Sequence, residues 1–444
     1  MNNYLTELYQ NLKQRFPTEK EYLNVVWEFL ESIDFLIADY PEIVSLNIVE
    51  RLIYPDRVIS FKVPWLDDNN QVKVNIGYRV QFNNLIGPYK GGIRFDSSVN
   101  ESILKFLAFE QTLKNSLTGL PLGGAKGGAD FNPRGKSDFE IMRFCQSYIA
   151  ELYKYIGPDV DVPAGDLGVG KKEVGYMFGK YKKITGKHHD SFTSKDPSSG
   201  GSLLRFEATG YGLVYITEET LETYFNTSLK NKKLIVSGTG NVGYNAAFKA
   251  QELGANLIAV SNIHGVIYDE KGIDVELIGK LEQNKEHLKN YLKAYPKAQY
   301  HSNPKSLWEI KADVAMPCAT QNEVELADAK KLHKNNFMLV SEGANKPLTG
   351  EALKFLLANK ILVLPSNAAN AGGVATSSFE MTQNATFEIW SKEEVDKRLK
   401  ATMNRIFTLI HQEALALGEK LNLTKAANVV SFKKLLKAMK HQGI

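Results

Sequence analysis

Leu234-Ile235-Val236-Ser237-Gly238-Thr239-Gly240-Asn241-Val242-Gly243 decides the fold of the second half of this chain. Three apolar, strand-forming residues lead into a G-x-G-x-x-G turn, and a helical pattern follows through Tyr244–Leu253. Early glycines in such a turn allow a tight bend and close approach of a pyrophosphate, which then sits at the helix N-terminus. Gly238 and Gly240 are therefore the residues placed to meet a dinucleotide, with Val242 beside them in the turn. The same pattern also fits a glycine turn in an α/β domain that holds no ligand.

Outward from the turn, Leu257–Val260, Val314–Met316, Met338–Val340 and Ile361–Leu364 are short apolar runs with helical segments between them. That alternation predicts a Rossmann-like, doubly wound α/β domain. NAD-preferring sites of this kind usually carry Asp or Glu at the end of the second strand. Here that end reads Val260-Ser261-Asn262. Neutral Asn262 does not repel a 2′-phosphate, and Ser261, His264 and Lys280 or Lys285 are placed to contact it. The expectation is NADP, with NAD as the alternative; Asn262 also reads as a plain turn cap.

The first half has a different character. Leu23, Val26, Leu30, Ile33 and Ile37 mark an amphipathic helix, and the strand VISFKVPW leads to the turn Asp67–Asn70. Val72, Val74, Ile76, Tyr78, Val80 and Phe82 then alternate with mostly polar residues, predicting a hairpin with one buried face in an α/β domain with a mixed sheet. Residues 101–118 read as a helix with Ile103, Leu107, Gln111 and Lys114 on one face. The polar stretch GKHHDSFTSKDPSSGGS predicts a long connection or lid between domains, with His188 and His189 solvated. The expected domains are residues 1–200 and 201–420, with 421–444 forming a C-terminal helix.

Four short blocks, GPYKGGIRF, QTLKNSL, GGAKGGAD and PAGDLGVG, three of them glycine-rich, contain Lys90, Lys114, Lys126 and Asp166. If they converge, they make a cationic pocket with one carboxylate, suited to a small acid undergoing proton-coupled chemistry. Lys126, crowded by other cations, would lose part of its preference for the charged form. Any one of these lysines alone also reads as a surface or phosphate contact.

Composition sets limits on other functions. The 444 residues carry a net charge of +4 without a long basic run, so nucleic-acid binding is not expected. No apolar run is long enough for a bilayer, the N-terminus lacks a signal pattern, and Cys145 and Cys318 are the only cysteines, so the expected setting is cytoplasmic. No metal-ligand spacing is present.

In order along the chain, GPYKGGIRF, AFEQTLKNSL, LPLGGAKGGADF, PAGDLGVG, EATGYG, SGTGNVG, MPCATQNEV, EGAN and NAANAGGVATSSFEMTQNA closely resemble the glutamate dehydrogenases of the bacterial hexameric type. The resemblance spans about Glu50 to Asn384. It implies reversible oxidative deamination of L-glutamate to 2-oxoglutarate and ammonium, and a homohexamer. It further implies that Lys90 and Ser377 hold the side-chain carboxylate, and that Gln111, Lys114 and the Gly165 backbone hold the α-carboxylate end. Lys126 would activate water and Asp166 would shuttle protons, while Thr209, Asn241, Asn345 and Asn370 would meet the cofactor. Lys90 sets the chain apart from relatives that act on apolar amino acids. Departures are Phe206 for the usual proline, Ser378 for the usual glycine, and Asn367 where lysine is frequent. The rivals are an amino-acid dehydrogenase of shifted specificity and a nonenzymatic binding protein on the same fold.

Overall fold

The predicted hairpin forms β1 (Arg57–Leu66) and β2 (Val72–Asn83), paired antiparallel with Val58 opposite Val80 and Leu66 opposite Val72. The computed structural model describes residues 1–187 and 191–443, so His188 and His189 lie outside the described residues. The two faces of the hairpin differ at its distal end. On one face Val80 and Phe82 are fully buried but Val72 and Val74 are 68% and 59% exposed, whereas Val63 and Trp65, opposite Asn75 and Lys73 on the other face, are buried in the core.

Next come β3 (Tyr89–Phe95), β4 (Gly124–Ala129) and β5 (Asp161–Gly165), completing a mixed sheet of order β1-β2-β4-β3-β5. β4 runs antiparallel to β2 and parallel to β3, which is also parallel to β5. Side chains alternate across a sheet, so Lys90, Gly92 and Arg94 share one face of β3. Ile93 lies opposite Gly127 in β4, which places Lys126 on that same face, beside Gly92.

The helix Glu101–Thr118 packs on this face, with Thr112 against Gly124. Its start is fixed by Asn100, whose side chain accepts the Ile103 N–H at 3.0 Å, and its end by Gly119 in the left-handed region. The opposite face is covered by the helices Asp138–Leu152 and Lys171–Thr185, through a core that includes Phe95, Phe131, Phe144, Tyr148 and Phe178. Phe131 and Phe144 stack with centroids 3.8 Å apart. Burying one such side chain contributes about 1.5–3 kcal/mol.

Part of the polar segment read as a connection or lid lies in the interior, although the boundary between the two compact units follows directly after it at Leu203. Ser191–Lys195 are all buried, Phe192 joins the core just described, and the Thr193 N–H donates to the Pro163 carbonyl at 2.9 Å. Composition misled for Ser191–Lys195 because their backbone and the Lys195 side chain are tied into the interior rather than solvated, Lys195 Nζ donating to the Phe192 carbonyl at 2.9 Å.

The second sheet is formed by β6 (Lys233–Ser237), β7 (Asn256–Asn262), β8 (Gly265–Tyr268), β9 (Gln299–His301), β10 (Val314–Pro317), β11 (Leu339–Ser341) and β12 (Leu362–Leu364). Their order is β12-β11-β10-β6-β7-β8-β9. Strands β6, β7, β10, β11 and β12 are parallel, as the doubly wound reading requires, and β8 and β9 add an antiparallel edge. The order reverses between β6 and β10, the switch point where open α/β sheets place ligands.

The chain divides into two compact units: Met1–Leu203 with Ser377–Ser391 and Asn428–Ile444, and Leu204–Thr376 with Lys392–Ala427. The sequence boundaries therefore need one correction. Ser377–Ser391, assigned above to the dinucleotide domain, belongs to the first unit, because the chain crosses back within the continuous helix Gly372–Thr386. The C-terminal helix Leu423–Gln442 packs in the first unit from Asn428 onward; Ser431 Oγ donates to the Leu113 carbonyl at 2.9 Å.

Candidate functional site

Every residue expected to touch the substrate lies in the first unit. Lys126, in β4, has its Nζ 3.0 Å from Asp166 Oδ1, and Arg94 Nε lies 2.8 Å from Asp166 Oδ2. Asp166 follows directly on β5, where Gly165 pairs with Ile93, so its side chain emerges beside Arg94 on the lysine face. Gly92 makes this possible: a Cβ there would come within 2.8 Å of both the Asp166 Cβ and the Gly165 carbonyl oxygen. The glycine lets strand and carboxylate close up, where the sequence suggested close approach to a ligand.

The electrostatics follow from burial and these two cations. Burial pushes the Asp166 carboxyl upward, but Lys126 and Arg94 together outweigh it and hold the group well below the usual carboxylate range. Burial lowers the Lys126 ammonium; Asp166 opposes that shift, and Arg94 and Arg79 add to it. The like-charge pressure on Lys126 thus comes mainly from arginines, not from the neighbouring lysines invoked above. Lys114 is brought down to about 8, chiefly by burial, with Lys126 pushing the same way and Glu110 and Asp166 opposing. The three lysines and Asp166 do converge on one face.

Lys90 is 1% exposed, and its carbonyl accepts from Asn115 Nδ2 at 3.2 Å. Gln111 donates its amide to Asn115 Oδ1 at 2.7 Å, so this expected substrate contact also braces the Lys90 strand. Ser377 is buried in the helix Gly372–Thr386. Ser378 is buried beside it in regular helix, a conformation that does not require the glycine usual at that position.

Three further groups escaped the sequence reading. Arg94 was signalled by spacing alone, two and four residues along one strand from Gly92 and Lys90. Thr193 carries a buried hydroxyl without a hydrogen-bond partner among the described residues. Lys195 and Glu380 form a fully buried ion pair, Nζ to Oε1 3.4 Å, and Glu380 also accepts the Ser194 N–H at 3.0 Å and the Lys195 N–H at 3.3 Å. No local pattern marks a pair 185 residues apart.

The cofactor candidates all lie in the second unit. Gly238 adopts φ +78°, which permits the turn after β6, and its backbone runs close to Ala319 at the end of β10. A Cβ on Gly240 would meet nothing within 4 Å, so the start of the helix Asn241–Glu252 has room for a phosphate against its N–H groups. Val242 lies in that first turn, and Asn241 Nδ2 donates to the Phe206 carbonyl at 2.7 Å. Asn370 donates to Asn345 Oδ1 at 2.9 Å, while its own Oδ1 is buried without a partner among the described residues. Thr209 sits against Gly373, where an added Cβ would come within 2.6 Å of its hydroxyl. Ser261 is buried at the end of β7, and Asn262 Oδ1 accepts the His264 N–H at 2.9 Å, the turn-cap alternative. An orphaned acceptor, an open helix start and a positive-φ glycine turn fit a nicotinamide dinucleotide.

Comparison with known proteins agrees. The family description Glutamate/Leucine/Phenylalanine/Valine dehydrogenase matches residues 200–443, and that of the family's dimerisation domain matches residues 55–183. The chain is 48% identical to an NAD-specific glutamate dehydrogenase of Porphyromonas gingivalis, covering 99% of both chains. It is 46% identical to an NADP-specific glutamate dehydrogenase of Helicobacter pylori, covering 99% of this chain and 100% of that one. The solved glutamate dehydrogenase of Plasmodium falciparum superposes with a TM-score of 0.96 at 44% identity, over 99% of this chain and 94% of that one. On sequence, fold and site together, the chain belongs to the Glu/Leu/Phe/Val dehydrogenase family.

Proposed function

We propose that the protein catalyses the reversible reaction of L-glutamate, oxidised nicotinamide nucleotide and water to give 2-oxoglutarate, ammonium, reduced nucleotide and a proton. The observation that carries this reading is the buried set of Lys126, Asp166 and Arg94 on a sheet face that also presents Lys90, with Lys114 nearby. A desolvated dicarboxylate needs a cation for each end. Lys90 with Ser377 serves the side-chain carboxylate; Lys114, Gln111 and the Gly165 backbone serve the α-carboxylate.

A nicotinamide nucleotide, when bound, accepts a hydride from the α-carbon. The residues of this chain do the rest. Asp166 takes a proton from the substrate amino group and returns one to the departing ammonia. The lowered Lys126 exchanges a proton with the water that adds to the iminium carbon, and in its charged form stabilises the carbinolamine. Thr209, Asn345 and Asn370 would orient the nucleotide, and the helix start at Asn241 would hold its pyrophosphate.

Asn262, which carries no charge, supports use of NADP, as do the His264 and His287 rings, 4.5 Å apart at the end of β7. The Glu282 carboxylate, which accepts from the Thr239 hydroxyl at 2.7 Å, supports NAD as the preferred nucleotide. A homohexamer is supported by the exposed Val72–Val74 stripe within the segment matching the dimerisation domain. Two buried free cysteines support a cytoplasmic setting.

Reduced nucleotide followed by absorbance, with L-glutamate, norvaline and leucine as substrates, tests the reading. Glutamate should be preferred by kcat/KM. Faster turnover of norvaline or leucine would favour shifted specificity, to which the buried Ser378 next to Ser377 would point. No amino-acid-dependent signal with either nucleotide would overturn the proposal.

A further inference from the structure

We infer that Glu282 recognises the unphosphorylated adenosine ribose and makes this protein discriminate against a 2′-phosphate. The inference rests on the dinucleotide reading above and assigns a residue that neither the G-x-G-x-x-G pattern nor the strand end identifies.

A ribose diol in this type of site calls for an acceptor near the end of the second strand. At the strand end, Asn262 has its side-chain oxygen engaged by the His264 N–H at 2.9 Å. The residue between the glycines, Thr239, is 5% exposed and donates its hydroxyl to Glu282 Oε2 at 2.7 Å. Glu282 stands in the last turn of the helix Val275–Gln283. A carboxylate is thus fastened to the glycine turn from a helix, in place of one from the strand.

The fastening uses one of its oxygens. No described residue donates to Glu282 Oε1, and no Lys, Arg or His among the described residues forms an ion pair with Glu282. The carboxylate therefore has acceptor capacity for ribose hydroxyls and a charge that no cation offsets. Two hydroxyls satisfy it. A 2′-phosphate brings a second anion against it, and like charges at contact distance disfavour binding. The His264 and His287 rings lie tilted with centroids 4.5 Å apart and Lys289 lies over Tyr300 at 5.8 Å, so these basic side chains have contacts of their own.

The test is binding, measured by titration calorimetry of the intact protein with NAD⁺ and with NADP⁺ in the absence of substrate. The wild type should bind NAD⁺ at least tenfold more tightly. Glu282→Gln should weaken NAD⁺ binding severalfold, tighten NADP⁺ binding, and change the ratio of the two dissociation constants by about tenfold or more. Thr239→Val, which releases the carboxylate, should move the ratio in the same direction by less. A ratio unchanged in Glu282→Gln, with both nucleotides still bound, overturns the assignment and leaves the proposed function standing. Binding of neither nucleotide to the wild type overturns the dinucleotide reading and this inference with it.

Discussion

Lys126 and Arg94 grip opposite oxygens of one carboxylate: Lys126 Nζ lies 3.0 Å from Asp166 Oδ1 and Arg94 Nε lies 2.8 Å from Asp166 Oδ2. Before substrate arrives, the candidate proton shuttle is thus an ionised group shared by the candidate catalytic lysine and a permanent cation. Substrate must loosen that arrangement for Asp166 to accept a proton from nitrogen.

Lys126→Ala removes the group assigned to water activation and leaves every cofactor candidate in the other unit untouched. Turnover with glutamate should fall by about three orders of magnitude, within the range for loss of a general acid–base group. Nucleotide affinity by calorimetry should stay within about twofold. Near-wild-type kcat would sink the assignment.

Arg94→Gln should displace the whole pH–rate profile. Loss of the guanidinium lets the Asp166 carboxyl rise toward the ordinary range, and it removes a like charge that lowers Lys126, so that group rises as well. Both limbs of kcat against pH should move to higher pH, the acid limb by about one pH unit or more. The same contact acts on stability. A depressed carboxyl contributes stability above about pH 4, where unfolded aspartate is ionised, and loses it as pH falls through the folded value. The variant should lose less stability than the wild type on acidification.

Lys114 titrates at about 8, so the ligand-free site keeps its α-carboxylate cation below that pH and loses it above. KM for glutamate should be flat on the acid side and climb above about pH 8. Lys114→Met should raise KM by roughly 10- to 100-fold at neutral pH, the cost of one charged hydrogen bond. A KM independent of pH between 7 and about 9.5 would remove Lys114 from this role.

Glu380 and Lys195 should prove energetically coupled. Removing one member of a fully buried pair costs about 3–5 kcal/mol, because the other charge is left without its counter-ion. Glu380→Ala and Lys195→Met should each destabilise strongly in urea denaturation, and the double variant should lose clearly less than the sum. Simple additivity would show that the 3.4 Å contact carries no coupling.

Val72 and Val74 expose apolar surface on one face of the hairpin end. Replacing both with serine should shift the sedimentation pattern to smaller species, with secondary structure by circular dichroism unchanged. A wild type that already sediments as a monomer would count against the homohexamer.

Much of the fold was legible because it rests on local rules. The G-x-G-x-x-G turn after a strand, the period-two run of Val72–Phe82 and the helical spacing of residues 101–118 are each visible within about a dozen residues. The site was legible where glycine-framed lysines broke surface expectations. It failed where polarity stood in for exposure: Ser191–Lys195 read as a lid and lie in the interior. It failed also where alternation stood in for burial, since Val72 and Val74 follow the pattern and remain in solvent.

The sequence by itself determined two α/β halves, a dinucleotide-type turn, and the identities of Lys90, Lys114, Lys126 and Asp166, because turn chemistry and side-chain period act over short stretches. Tertiary structure alone decided that Arg94 shares Asp166 with Lys126, that Glu380 neutralises Lys195, and that Glu282 reaches Thr239. Those pairs join residues 40 to 185 positions apart. Electrostatic energy depends on distance through space and on burial, and neither is written in the order of residues along a chain.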